Sequence, residues 1–193
     1  MCRIMKKIFY LLAVVLCAAF VSCSKDDNVI EDVEQPNALV SRVALNEKNC
    51  YNLLAAFDQG GVANPDEGSW YGLYLFDFEV ESAEVAEWSK AKVYIEGLQK
   101  RGRDYENIKD CLTGITLYDI PDVGIVHISL NEGVYEGQSE LVSAVNIESF
   151  DTGSYDSKTG QKENANIKIS IILKNSSVLE LRYVGAVRTT GMI

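Results

Sequence analysis

The stretch ANIKISIILKNSSVLELRYVGAV, residues 165–187, decides the fold class of this chain. Apolar and polar side chains alternate on both sides of a short polar turn at Asn175 and Ser176. Alternation of this kind is typical of strands with one buried face, because successive side chains of a strand point to opposite faces. We therefore predict an antiparallel hairpin of residues 165–174 with residues 178–187. Its buried face would consist of Ile167, Ile169, Ile171, Leu173, Leu179, Leu181, Tyr183, Gly185 and Val187.

The same pattern recurs along the chain. Strand-like segments cover residues 39–45, 50–57, 70–80, 115–120, 124–130 and 141–149. Residues 70–80 are the most aromatic of these, and their even positions, from Trp70 to Val80, form a strongly apolar face. Acidic side chains enter the opposite face at Asp77 and Glu79. A central strand with two different faces accounts for this distribution.

The spacing of the apolar residues changes after residue 81. Apolar side chains recur at spacings of three and four, and they are Val85, Trp88, Ala91, Ile95 and Leu98. This spacing predicts a helix over residues 82–101, with Ser82 as N-cap and Gly102 beyond its end. The alternative for residues 92–95 is a strand. A second short helix is predicted between Asp104 and Gly114.

These segments indicate a mainly β fold. The sequence predicts an antiparallel β-sandwich or a partly open barrel of about eight strands, with one or two short helices inserted. Residues 38–193 would form this single globular domain, since their number is ordinary for one domain.

The N-terminal region predicts export and lipid attachment. Three cations precede an apolar run over residues 8–21 that is too short for a membrane span. Phe20, Val21, Ser22 and Cys23 resemble the lipobox of bacterial lipoproteins, in which the cysteine is acylated. This resemblance implies a signal peptide over residues 1–22, lipid on Cys23 and an acidic flexible tether over residues 23–37.

The residues after Cys23 carry a second resemblance. Lys25, Asp26 and Asp27 are similar to the export signal of Bacteroidetes surface lipoproteins. That family resemblance implies a protein in the outer membrane, held by its lipid and facing the cell exterior.

Charge excludes one class of partner. The chain has a formal net charge of −10, and loss of residues 1–22 would leave 15 Lys and Arg against 28 Asp and Glu. Phosphate backbones would be repelled by this field, so we expect no nucleic-acid partner.

Aromatic side chains are the candidate binding residues. We expect Trp70, Tyr71, Tyr74 and Trp88 to engage a glycan or a small apolar ligand, which predicts a surface binding or accessory module. The alternative is a structural or interaction protein of a surface assembly, such as a minor pilin-like or adhesion component, in which an open sheet edge accepts a strand of another chain.

One short motif around Trp70 suggests a barrel. Gly68, Ser69 and Trp70 resemble the Gly-x-Trp signature that opens the first strand of lipocalins. In that family the tryptophan closes one end of a ligand-holding barrel, so the resemblance implies a cup with Trp70 at its end. The alternative, which the sequence favours, is a core tryptophan at the start of a strand.

Cysteine use leaves two alternatives open. Only Cys50 and Cys111 would remain as thiols after processing and acylation. They could form a disulfide in an oxidising compartment, which would stabilise the fold by ~4 kcal/mol in the chain-entropy model. Two free thiols explain the same sequence.

Catalysis and metal binding are not expected. Asp151, Thr152, Gly153 and Ser154 match the aspartic-protease string, but in a single copy between two predicted strands, where a turn suffices. Asp77 and Glu79 would share a strand face at a spacing that a solvated strand end also produces. His127 is the one histidine, and no acid near it in sequence would orient it. We predict no cofactor and no metal.

Overall fold

The structure of the chain is a computed structural model. It describes residues 40–64, 68–82, 87–137 and 139–190, with the backbone alone for residues 62–64. Within these ranges twelve strands form one strongly curled half-barrel sheet, accompanied by two 3-10 helices and no α-helix. The predicted mainly β class is thereby confirmed, in its partly open barrel form.

The elements have the following bounds. The strands are β1 (Arg42–Leu45), β2 (Lys48–Asn52), β3 (Ala55–Asn64), β4 (Gly68–Phe76), β5 (Val93–Lys100), β6 (Leu112–Ile120), β7 (Gly124–Asn131), β8 (Val134–Tyr135), β9 (Val142–Asp151), β10 (Ser154–Asp156), β11 (Gln161–Leu173) and β12 (Val178–Thr189). The 3-10 helices, Trp88–Lys90 and Ile108–Cys111, precede β5 and β6.

The sheet follows the order β10-β11-β12-β3-β4-β5-β6-β7-β8, with β1 beside β12, β2 beside β1 and β9 beside β11. The predicted hairpin is β11 with β12, in which Ile169 lies opposite Leu181. All described pairings are antiparallel except that of β12 with β3, which run parallel where Thr189 lies opposite Asp58. The long strand β12 pairs with β1 near its start and with β3 at its end.

The main core fills the inner face of the curled sheet. Alternate side chains of neighbouring strands meet there and are fully buried: Leu73, Leu75, Val93, Ile95, Ile115, Leu117, Val126, Ile128, Ile167, Ile169, Ile171, Leu179 and Leu181. Each such side chain contributes roughly 1.5–3 kcal/mol relative to an exposed position. The apolar face predicted for the hairpin is part of this core, whereas Gly185 is half-exposed.

A smaller core lies on the outer face of β3 and β4. Phe57 and Phe76 pack edge to face with ring centroids 6.1 Å apart, and Trp88 meets Phe57 at 5.7 Å. Val80 and Ala91 are buried in the same cluster. The chain after β4 therefore packs against one end of the outer face.

The helix predicted for residues 82–101 is wrong over residues 87–101, the part of it that the structure describes continuously. Residues 93–100 form β5, in which Val93, Ile95 and Gly97 are buried and the residues between them are half-buried. The helical spacing was the weaker signal, because Gly97 disfavours a helix and β-branched Val93 and Ile95 suit a strand. The alternative for residues 92–95 is the correct one, and Trp88 belongs to a 3-10 helix.

The second predicted helix is reduced to the 3-10 helix Ile108–Cys111, and residues 112–114 already belong to β6. The segment predicted as one strand over residues 50–57 is divided between β2 and β3. At this division the backbone amide of Leu53 donates to Ser41 and that of Leu54 donates to Phe76. The backbone therefore changes its hydrogen-bonding partner between Leu53 and Leu54, which the sequence pattern does not reveal.

Candidate functional site

The outer face of β4 and β5 carries a row of aromatic side chains. Trp70, Gly72 and Tyr74 alternate with the core residues of β4, so they point away from the main core. Their partners on β5 are, in the same order, Leu98, Glu96 and Tyr94. Trp70, Tyr74 and Tyr94 are all half-buried. We refer to these three residues as the aromatic platform.

Two glycines allow the platform rings to lie against the sheet. A Cβ on Gly61 of β3 would stand 2.7 Å from Trp70 Nε1, and one on Gly72 would stand 3.1 Å from Trp70 Cζ3. These atoms are at opposite ends of the indole, so the indole lies across the sheet surface. The same Cβ on Gly72 would also meet the rings of Tyr94 at 3.2 Å and Tyr74 at 3.4 Å.

The rings continue one another along the sheet. The centroids of Tyr74 and Tyr94 are 4.7 Å apart, with an angle of 35° between the rings. Trp88 lies beyond Tyr74, with 4.9 Å between ring centroids and an angle of 55°. Because Trp88 also contacts Phe57 and Phe76, it forms an end wall of the platform as well as part of the outer core.

Polar groups border the platform on the β5 and β6 side. The Glu96 side chain lies against Gly114, where an added Cβ would approach its carboxylate oxygen Oε1 to 2.6 Å. Burial, together with the neighbouring Tyr74 and Glu96, raises the pKa of Tyr94, so its hydroxyl stays protonated. Next to Tyr94, Thr116 Oγ1 and His127 Nδ1 share a hydrogen bond of 2.9 Å. The site therefore combines flat apolar rings with hydrogen-bonding groups at their edge.

Tyr71, the fourth predicted binding residue, is not part of the platform. Its side chain points to the inner face, where its ring packs edge to face on Phe150 with 6.4 Å between centroids. Burial raises the pKa of Tyr71, and the charge of Asp58 adds to this shift. Period two along β4 separates Tyr71 from Trp70 and Tyr74. The sequence-based prediction therefore combined side chains from the two opposite faces of β4.

The lipocalin-like expectation for Trp70 is also wrong. Trp70 lies on the outer surface of the sheet and not at the end of an internal cup. The inner side is occupied by the apolar core.

A buried ion pair connects β3 and β11. Lys162 Nζ donates to Asp58 Oδ2 and also lies 3.5 Å from Thr152 Oγ1. The Asp58 side chain is only 5% exposed, and its Oδ1 has no hydrogen-bond partner among the described residues. This pair lies beside the short parallel pairing of β12 with β3, so it stabilises that seam of the sheet.

The remaining catalytic candidates stay apart. The Asp151 carboxylate accepts the Gly153 amide at 2.8 Å in a turn, while Thr152 is buried. Asp77 and Glu79 follow β4 and are not on it, which corrects the expectation of a shared strand face. His127 is exposed and is hydrogen-bonded to a threonine. Among the described residues no group of three or more His, Cys, Asp and Glu side chains could hold a metal ion.

Both described cysteines are free thiols, so the disulfide alternative is not realised in this structure. Cys50 is half-buried on β2, and Cys111 is buried, with its Sγ donating to the Ile108 carbonyl oxygen at 3.0 Å. Burial raises the pKa of both thiols.

The predicted signal peptide, the lipid-attachment residue Cys23 and the tether lie outside the described residues. In the part of the chain that is described, no helix is long and apolar enough to cross a bilayer.

Sequence reasoning missed Tyr94, Glu96 and the role of Gly72. The first two lie in the segment predicted as a helix, where they would not have faced β4. The available signal was the alternation of Val93, Ile95 and Gly97 with Tyr94, Glu96 and Leu98, which is the period of a strand.

Comparison of the chain with protein-family models, with curated proteins and with solved structures finds no match.

Proposed function

We propose that this protein is a lipid-anchored cell-surface module that binds a glycan on the aromatic platform. A sugar ring has apolar C–H faces and a rim of hydroxyl groups. Flat aromatic rings match the faces, and adjacent hydrogen-bonding groups match the rim. The observation that supports this proposal most strongly is the indole of Trp70, which lies across Gly61 and Gly72.

The cost of presenting these rings supports a role in binding. Half-buried aromatic side chains in a row form an apolar patch that a small soluble domain ordinarily covers. Glycine at positions 61 and 72 weakens the strands by about 0.5–1 kcal/mol each relative to alanine. Both features follow if the rings must lie flat against the sheet to receive the C–H face of a sugar ring.

We assign binding and not hydrolysis to the site. Glycoside hydrolysis ordinarily uses two carboxyl groups on opposite sides of the scissile bond. On the outer face of β4 and β5, as described, Glu96 is the one carboxylate beside the platform. A single acid can accept hydrogen bonds from sugar hydroxyls without cleaving the glycan.

Attachment through Cys23 completes the proposal. It rests on the lipobox resemblance, and two or three acyl chains would hold the module at the membrane, since each buried methylene contributes ~0.8 kcal/mol. The acidic tether would keep the domain away from the bilayer.

The experiment is a screen of the purified chain against a panel of immobilised polysaccharides. We expect retention on at least one of them, and loss of retention in the Trp70→Ala, Tyr74→Ala double variant. Tyr155→Ala is the matched control, because Tyr155 on β10 is 61% exposed and far along the sheet order from β4. Equal retention of both variants would contradict the assignment to the platform.

The second candidate function is docking of a strand from another chain, and one observation favours it. Among the described residues β9 pairs only with β11, so the other side of this ten-residue strand is open to a partner except near Val142, whose carbonyl oxygen accepts a hydrogen bond from Tyr135 at 2.8 Å. Two register shifts interrupt β9, however, and irregular edges discourage strand addition. Concentration-dependent self-association without any glycan binding would favour this second function.

A further inference from the structure

The platform leads at one end into a basic pocket. A cavity of about 440 Å³ lies at the ends of β4 and β5, and its lining includes Lys100, Arg101, Arg103, Asp104 and Tyr105. We refer to this cavity as the basic pocket. Three cations and one acid in its lining contrast with a chain whose net charge is −10. A local excess of positive charge on an acidic protein attracts anionic groups to that place.

The pocket begins directly beyond the platform, where Ser69 and Gln99 line it together with Lys100, and of these three Lys100 lies on the face that carries Trp70. Lys100 lies opposite Gly68 at the end of the β4–β5 ladder, and Leu98 lies opposite Trp70. Lys100 and Leu98 are two residues apart and therefore point to the same side of the sheet, ~7 Å from each other along the strand. A ligand that covers the Trp70 indole thus comes within reach of the Lys100 ammonium group.

The carboxylate of Glu132 forms ion pairs with two of the cations of the pocket. Glu132 accepts hydrogen bonds from Lys100 Nζ at 3.2 Å and from Arg103 Nη2 at 2.6 Å, and it also contacts Arg103 Nη1. The hydrogen bond from Lys100, with the charge of Arg103, lowers the pKa of Glu132. Glu132 and Gly133 form the two-residue turn between β7 and β8, both with positive φ, which fixes where this carboxylate is presented.

The ion pairs with Glu132 are exchangeable. The side chains of Lys100 and Arg103 are 49% and 51% exposed, and exposed ion pairs contribute little to stability. An oxyanion of the ligand can replace the Glu132 carboxylate with the same geometry, because the planar guanidinium of arginine matches carboxylates and related oxyanions through two parallel hydrogen bonds. Glu132 then acts as a competitor that an uncharged ligand does not displace.

We infer that the glycan bound on the platform is acidic, and that Lys100 and Arg103 hold a carboxylate or sulfate group of its sugar units in competition with Glu132. This inference rests on the proposed function of the platform. It adds a chemical class of ligand and a specificity pocket, and it gives Glu132 the role of setting the threshold for binding.

The test compares three soluble oligosaccharides of equal length and linkage: one neutral, one with uronate carboxylates and one sulfated. Their dissociation constants are measured by titration calorimetry with the full mature chain. We expect one of the acidic forms to bind about threefold more tightly than the neutral form, as one exposed ion pair would give. The comparison of uronate with sulfate identifies which oxyanion the pocket prefers.

Variants assign this preference to the pocket. In the Lys100→Gln, Arg103→Gln double variant the acidic and neutral forms should bind equally, with the neutral affinity unchanged. Glu132→Gln should bind the acidic form more tightly than the natural chain does. Lys158→Gln is the control, because it removes an exposed cation from the loop between β10 and β11. In 0.5 M NaCl the preference should shrink, since salt screens exposed charges.

The outcomes separate the two proposals. If neutral and acidic forms bind equally to the natural chain, or if the preference survives in the double variant, the inference on the basic pocket is wrong and the platform stands. If none of the three forms binds and the polysaccharide screen also fails, both proposals are wrong.

Discussion

Tyr74 of β4 and Tyr94 of β5 lie directly opposite each other, with their ring centroids 4.7 Å apart. Their rings meet above Gly72, which the Trp70 indole approaches from the other side. The shape of the aromatic platform therefore depends on the lack of a side chain at Gly61 and Gly72 as much as on the rings themselves. This relationship leads to direct tests of the platform and of the fold that supports it.

Gly61 and Gly60 offer a matched pair of substitutions. In Gly61→Ala the new Cβ would stand 2.7 Å from Trp70 Nε1, so the indole must move, whereas in Gly60→Ala the nearest atom is the Trp70 carbonyl oxygen at 3.7 Å. We expect Gly61→Ala to shift the tryptophan emission spectrum and to weaken glycan binding severalfold. Gly60→Ala should do neither. Identical spectra for both variants would show that Trp70 does not lie against Gly61.

The buried ion pair predicts a large loss of stability. Lys162→Met leaves the Asp58 carboxylate buried without its cation, which costs about 3–5 kcal/mol. Lys168→Met is the control, because Lys168 pairs with Glu148 at the surface and such pairs contribute about 1 kcal/mol or less. The free energies of unfolding come from urea denaturation at neutral pH. A similar loss for both variants would contradict the structural role of the pair.

Tyr183 predicts a dependence of stability on alkaline pH. Burial, with Glu79 as a smaller cause, raises the pKa of Tyr183 from its usual value near 10 to about 12. Between these values the unfolded chain has lost the phenolic proton and the folded chain keeps it. The contribution of Tyr183 to the free energy of unfolding therefore falls by about 1.4 kcal/mol per pH unit in this window. Below pH 10 both states keep the proton, so this contribution is fully present.

Tyr183→Phe isolates this effect. At pH 7 the variant should be less stable by about 1 kcal/mol, because the hydroxyl donates to the Ala186 carbonyl oxygen at 2.6 Å. From pH 10 to pH 12 the difference should diminish and then reverse, as measured by urea unfolding of both chains. A difference that stays constant with pH would mean that the hydroxyl is not buried.

The two thiols should differ in reactivity. In the native chain we expect iodoacetamide to label Cys50 slowly and Cys111 hardly at all, because Cys111 is buried and burial raises the pKa of both thiols. Unfolding without a reductant should make both reactive, as shown by peptide mass mapping. Labelling that requires prior reduction would instead demonstrate the disulfide.

Lipid attachment is tested at Cys23. Cys23→Ala should abolish incorporation of labelled fatty acid and release the chain from the membrane fraction, since the acyl chains supply the anchor. Replacement of Lys25, Asp26 and Asp27 by alanine should keep the lipid but reduce cleavage by protease added to intact cells. Continued acyl labelling of the Cys23→Ala chain would contradict the anchor.

The hairpin of β11 and β12 was predictable because the alternation of its residues, their strand propensity and the polar turn all indicate it. Ile167, Ile169 and Ile171 alternate with polar residues, are β-branched, and face Leu179 and Leu181 across a polar turn. The residues 93–100 were not predictable in this way, since Trp88, Ala91 and Ile95 also have helical spacing. Gly97 and the β-branched Val93 and Ile95 favour the strand, and the pairing of β5 with β4 and β6 confirms it.

The candidate site was predicted in part. Trp70 and Tyr74 share the outer face because they are four residues apart on one strand, and the same rule places Tyr71 on the inner face. Tyr94 could not be assigned to the site without the β4–β5 register. The pairing of Asp58 with Lys162 joins residues far apart in sequence, and no local pattern indicates it.

The most direct test of the glycan platform uses Trp70 as its own reporter. The chain has two tryptophans, so in Trp88→Phe the emission comes from Trp70 alone. Titration of this variant with a soluble oligosaccharide of the retained polysaccharide should give a saturable blue shift, because a sugar ring on the indole excludes water. The dissociation constant should equal the one that calorimetry gives for the same variant. Saturation of the protein with glycan while the Trp70 emission stays unchanged would contradict the account.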